Sequence, residues 1–144
     1  MPNIVLTPEE LRYMQTFALL TGVAPIDCIV DNKFNRVIFL VRPEDVSKAI
    51  GRRGIIVKKL RDILKKDVEV VAYSDNIEQM VKNALAPAEV ISVRVNKRPN
   101  GTKVAYVKVD PAKKGFAIGK GGRNVARARL ILKRHFDVDS LVVV

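Results

Sequence analysis

Two four-residue segments combine glycine with positive charge in the same pattern: Gly51-Arg52-Arg53-Gly54 and Gly119-Lys120-Gly121-Gly122. Each is preceded by Ala-Ile and followed three residues later by Val. Glycine at both ends lets the chain turn tightly and lets a ligand backbone approach without meeting a side chain. The stretch after each turn reads as a helix, whose first amides lack partners and carry the positive end of the dipole. Arg52 and Arg53 in one copy and Lys120 in the other add cations at the same place. The chemistry this suits is the binding of phosphate. A P-loop is excluded, since it needs Gly-x-x-x-x-Gly-Lys-Ser/Thr after a strand, whereas Gly119-Lys120 leads into Gly121 and follows a helical segment. A dinucleotide fingerprint is excluded because Asn124 stands where its third glycine belongs.

Groups for catalysis are scarce. The chain has one His and one Cys, and its acids lie mostly beside basic residues or at helix starts. His135 falls near the end of the last helix, where a cation suits the dipole. Cys28, inside a hydrophobic stretch, reads as a buried apolar thiol. No His, Cys or carboxylate spacing suits a metal. The expectation is a non-enzymatic protein with no cofactor, no metal and no small-molecule substrate.

The elements that position the two turns come from an internal duplication. A shift of 68 residues brings Ala49-Ile50-Gly51 onto Ala117-Ile118-Gly119 and Val41-Arg42-Pro43 onto Val109-Asp110-Pro111. In the same register Val57 falls on Val125, Leu64 on Leu132, Glu69 on Asp137 and Val70 on Val138, so a unit of about 70 residues is used twice. Thr7-Pro8-Glu9-Glu10 is a capping box that opens a helix running to about Thr21 and closed by Gly22. Leu11, Met14, Phe17, Ala18 and Leu20 recur near helical spacing as its core face. Strands are expected over 26–30 and 37–41, joined as a hairpin. A short helix from Pro43 leads into the first turn. Beyond it, Val57, Leu60, Ile63 and Leu64 mark one face of a second helix, with Lys58, Lys59, Arg61 and Lys65 on the other. A strand over 68–73 closes the unit.

The second unit repeats this order with a helix over 75–85, strands over 90–95 and 103–109, two helices around 119–122 and a strand over 140–144. Pro99-Asn100-Gly101 is a hairpin turn. The expectation is an α+β fold of two domains, 1–73 and 74–144. Each is a three-stranded mixed sheet with three helices packed on one face.

Charge narrows the partners. The chain carries 26 Lys and Arg against 15 Asp and Glu, a net charge of +11 in 144 residues. Residues 1–73 hold 12 basic and 9 acidic side chains, residues 74–144 hold 14 and 6, so the excess lies mostly in the second half. Polyanions are the indicated partners. No apolar run is long enough to cross a bilayer, and Met1-Pro2-Asn3-Ile4 lacks the start of a signal peptide, which fits a cytoplasmic protein.

Ile-Gly-x-x-Gly-x-x-Val between two helices, at Ile50 to Val57 and again at Ile118 to Val125, resembles the hallmark of the K-homology (KH) domains. The helix and strand placed before the shared core are similar to the type II arrangement. The resemblance implies that the turns hold the backbone of single-stranded RNA and that an adjacent apolar groove holds about four nucleotides. Gly51, Arg52, Arg53 and Gly54 would form one clamp and Gly119, Lys120, Gly121 and Gly122 the other. Ile50, Val57, Ile118 and Val125 would shape the groove floors, while Lys58, Arg123 and Arg127 would extend the phosphate track. No aromatic stands at the centre of either turn, so base stacking is not expected.

Two such domains with almost no linker resemble the tandem of the NusA family of transcription elongation and termination factors in its short archaeal form. That likeness implies nascent RNA as partner, with RNA polymerase as a further one, and one surface along which RNA runs from groove to groove. A ribosomal or rRNA-processing KH protein and a polymerase-docking scaffold without RNA binding are the alternatives.

Overall fold

The computed structural model describes residues 4–144, so the first three residues of the first expected domain and of the chain start lie outside the described residues. Contacts divide the chain into two compact units, one of them Val5–Ser74 and the other including Asp75–Val144.

The first unit starts where the capping box predicts. Helix α1 (Pro8–Thr21) is preceded by Thr7, whose hydroxyl accepts from the Glu10 amide at 3.1 Å while the Glu10 carboxylate accepts from the Thr7 amide at 2.9 Å. Gly22, at φ 72°, ends the helix in the left-handed region. Strands β1 (Asp27–Asp31) and β2 (Arg36–Val41) pair antiparallel, and β3 (Asp67–Ala72) joins β2 in parallel. Between β2 and β3 the chain forms a 3₁₀ turn, the short helix α2 (Val46–Ile50), the first glycine turn and helix α3 (Ile55–Leu64).

One face of this sheet carries Cys28, Val37, Phe39, Val41 and Val68. It packs against Phe17 of α1, Ala49 of α2 and Val57 and Leu60 of α3. Phe17 stacks on Phe39 with ring centroids 4.2 Å apart. Two residues counted as core from spacing are exposed instead, Leu11 at 47% and Ile63 at 53%. Helical spacing gives the direction of an apolar stripe but not its width, and only a narrow strip of α1 and α3 reaches the sheet.

The second unit repeats the order. Helix α4 (Ile77–Leu85) is capped by Asn76, and β4 (Ser92–Lys97) pairs antiparallel with β5 (Lys103–Lys108). Helix α5 (Lys114–Ile118), the second glycine turn and helix α6 (Arg123–Phe136) follow, and β6 (Ser140–Val143) pairs in parallel with β5. The β4–β5 turn closes as predicted, with the Arg98 amide donating to the Thr102 carbonyl at 2.7 Å and Gly101 at φ 90°. The fold is α+β, two mixed three-stranded sheets of order β1-β2-β3 and β4-β5-β6.

The duplicated register does not hold to the end of the unit. Arg36 pairs with Asp67 and its counterpart Val104 with Ser140, so the offset is 68 on one strand and 73 on the other. Helix length supplies four of the five added residues and the segment between α6 and β6 the fifth. Lys65 and Asp137 are the left-handed residues that end α3 and α6, and α6 is 14 residues against 10 for α3. The match of Glu69 to Asp137 and Val70 to Val138 is therefore a coincidence of composition.

A candidate nucleic-acid interface

The two glycine turns have the same backbone. In the first, Gly51 lies at φ 80°, ψ 168°, Arg53 at 56°, 26° and Gly54 at 75°, 17°. In the second, Gly119 lies at 82°, 167°, Gly121 at 65°, 15° and Gly122 at 81°, 17°. Each is closed by a bond between its outer glycines, from the Gly54 amide to the Gly51 carbonyl and from the Gly122 amide to the Gly119 carbonyl, both at 3.1 Å.

The first glycine of each turn is needed twice over. Its φ disfavours any side chain, and a Cβ at Gly51 would stand 2.7 Å from Ile56 Cγ1, one at Gly119 2.9 Å from the Asn124 amide nitrogen. The last glycine is needed for its backbone only, since a Cβ at Gly54 or Gly122 would meet nothing within 4 Å. That open side is where a ligand backbone can approach. The first amides of α3 and α6, expected to lack partners, are already used within the turns: the Ile55 amide donates to the Arg52 carbonyl and the Arg123 amide to the Lys120 carbonyl.

Cations surround this open side. Arg52, Arg53 and Lys58 are exposed, and with Ile55, 51% exposed, they line a cavity of about 530 Å³. Sequence reasoning missed Ile55; its signal is an Ile directly after Gly54 with no place in the apolar repeat of Val57, Leu60 and Leu64. Lys120 and Gly121 are exposed in the second turn, and Arg123 is half-buried at the first position of α6. Phe116 was also missed. It is 56% exposed in α5, three residues before Gly119, and its carbonyl accepts from Asn124 Nδ2 at 3.3 Å.

The expected groove residues divide. Ile50 and Ile118 are half-buried beside the turns, whereas Val57 and Val125 lie in the core at 7% and 4% exposure and back the turns from within. Arg127 is a correction. It is 9% exposed, and its guanidinium donates to the Ala84 carbonyl from Nε at 2.8 Å and Nη2 at 2.5 Å. Spacing of four placed it on one helix face with Arg123, but one turn further along that face is covered by α4.

Among the described residues no cluster of three or more His, Cys, Asp or Glu could hold a metal ion. No helix among them is long and apolar enough to cross a membrane. Cys28 and His135 are both buried.

With this geometry in hand, known proteins offer close parallels. Residues 77–142 match the family model described as NusA-like second KH domain, and residues 10–75 match that of the KH domain. A protein of Halococcus morrhuae named probable transcription termination protein NusA is 39% identical over 139 residues, 96% of this chain and 97% of that one. Its namesake in Methanocaldococcus jannaschii is 33% identical over 144 residues, all of this chain and 77% of its own. The crystal structure of APE1850 shares 47% identity with a TM-score of 0.91, covering 96% of this chain and 100% of that chain.

Proposed function

This chain belongs to the NusA family of tandem KH-domain proteins, and on that premise we propose that it binds nascent single-stranded RNA and acts in transcription termination and elongation. It works in the cytoplasm by binding, not by catalysis. The two units are two KH domains, and each takes about four nucleotides of one transcript. Gly51, Arg52, Arg53 and Gly54 clamp the backbone in one, and Gly119, Lys120, Gly121 and Gly122 in the other. The observation that carries this reading is the identity of the two turns: the same dihedral angles, the same open glycine side and cations beside it in both. Lys58 and Arg123 extend the two phosphate tracks, while Arg127 holds α6 in place. RNA polymerase is the second partner of the proposal.

The test is fluorescence anisotropy with a labelled single-stranded RNA of about twelve nucleotides over a salt series, with duplex RNA and single-stranded DNA as competitors. Affinity that prefers single-stranded RNA and falls with salt is expected. Arg52→Asp with Arg53→Asp, and Lys120→Asp with Gly121→Asp, are expected to weaken it in folded protein. Equal binding to every polyanion, or full affinity in both double variants, would overturn the clamp assignment. Capture of RNA polymerase that survives nuclease treatment tests the second partner.

A further inference from the structure

The two sheets differ on the side away from their helices. In the first unit Ile29, Ile38 and Leu40 occupy this side and are all buried. Strand pairing fixes their counterparts. Asp27 faces Leu40 as Ser92 faces Lys108, and Ile29 faces Ile38 as Arg94 faces Tyr106. Three buried aliphatic positions of one copy are therefore Arg94, Tyr106 and Lys108 in the other. Arg94 and Lys108 are exposed and Tyr106 is half-buried. With Ser92 and Val144 they line a depression of about 210 Å³, and no acidic side chain is among them.

We infer that this open sheet face is a second RNA contact, in which Tyr106 stacks on one base and Arg94 and Lys108 hold the phosphates on either side. An aromatic ring flanked by two cations is the unit by which proteins hold single strands without reading sequence, and cross-strand pairing brings Arg94 beside the ring. The first unit carries only aliphatic side chains at these three positions, so the Arg, Tyr and Lys set is particular to the second. Stacking is not expected from local pattern, because Tyr106 is flanked in the chain by Ala105 and Val107 and acquires Arg94 only through the hairpin register. The inference rests on the RNA-binding reading, to which it adds a contact for strands longer than the two turns can hold.

Its test compares unstructured RNAs of 8 and 24 nucleotides on the full chain. Tyr106→Leu is expected to weaken binding of the longer RNA by about 5- to 150-fold, the usual loss for one stacked base, and to leave the 8-mer unchanged. Tyr106→Phe, which keeps the ring, is expected to bind as the parent does. Should Tyr106→Leu fold poorly, Arg94→Gln with Lys108→Gln changes only exposed side chains. It is expected to lower the salt slope on the longer RNA by about 1.4, two phosphates at about 0.7 each. Parental affinity and slope in these variants would overturn the inference and leave the turns as sole site, provided the Arg52→Asp, Arg53→Asp variant loses RNA. Unchanged RNA binding with lost binding of a polyglutamate probe would overturn it in favour of an acidic protein partner. Failure of the parent to bind either RNA would remove the underlying reading as well.

Discussion

Arg127 closes the end of α4: both Nε and Nη2 donate to the Ala84 carbonyl in the last turn of that helix. Carbonyls there lack helical partners and carry negative partial charge. Arg127→Met keeps much of the stem and removes the charge-assisted bonds, so it is expected to cost about 1.5–3 kcal/mol of stability. The slope of log affinity against log salt for RNA is expected to stay at the parental value. Urea unfolding and the salt series measure the two effects separately. A slope reduced by about 0.7 at unchanged stability would return Arg127 to the phosphate track.

The glycines of one turn should differ in cost. Gly51→Ala forces a Cβ to 2.7 Å from Ile56 Cγ1 at a φ of 80° and ψ of 168°, a backbone region nearly reserved for glycine and costing about 1–3 kcal/mol before any clash. Gly54→Ala meets open space and costs only the left-handed conformation, about 1–2 kcal/mol. Gly51→Ala is therefore the more destabilising of the two in urea unfolding. The same order is expected for Gly119→Ala over Gly122→Ala.

Arg53 and Gly121 hold one conformation with and without a side chain. Arg53→Gly thus copies a turn that the chain already folds, and its effect on RNA isolates the guanidinium. The expected outcome is an unchanged circular dichroism spectrum with a salt slope reduced by about 0.7, one phosphate contact on a single strand. An unchanged slope would mean that Arg53 points its charge away from the RNA.

The fully buried Arg36 is paired with Asp31 at 2.8 Å and Glu69 at 3.0 Å, with its guanidinium over the Phe34 ring. Removing one member of such a cluster leaves charge uncompensated in the interior. Arg36→Met is expected to cost about 3–5 kcal/mol. Adding Asp31→Asn and Glu69→Gln should recover part of that loss, and thermal melts of the single and triple variants give the comparison.

Much of this molecule was legible from local pattern. The Thr7 and Glu10 capping box, the hairpin at Asn100 and the paired glycine turns depend on neighbours in the chain, and all stand as read. The misreadings share one cause, which is what lies opposite a residue in space. Spacing put Arg127 on a helix face without showing that α4 covers it, and made Leu11 and Ile63 apolar-face residues without showing where the sheet ends. An ungapped match carried the duplication past the extra turn of α6, beyond which the offset of 68 no longer holds. Ile55 and Phe116 escaped notice because they flank the turns instead of occupying their centres.

Asp139 ties the start of β6 to two other elements: its carboxylate accepts from Lys133 Nζ of α6 at 2.6 Å and from the Lys103 amide of β5 at 2.8 Å. These bonds, the Lys133 one foremost, hold the Asp139 carboxyl below the usual carboxylate range, and they raise Lys133 above the usual lysine range. For Asp139 the folded value lies below the unfolded one, so its stabilisation is complete above about pH 4 and is lost as pH falls through the folded value. For Lys133 the folded value lies above the unfolded one, so its stabilisation is complete below about pH 10 and is lost as pH rises through the folded value. Asp139→Asn removes both dependences. Relative to the parent, its deficit in melting midpoint is expected to be greatest on a plateau between those limits and to shrink towards both extremes. Both groups are exposed to solvent, so the deficit should also narrow as salt is raised. A deficit that stays constant from pH 3 to pH 11 would show that Asp139 acts through the Lys103 amide alone, as a neutral acceptor that Asn fails to replace.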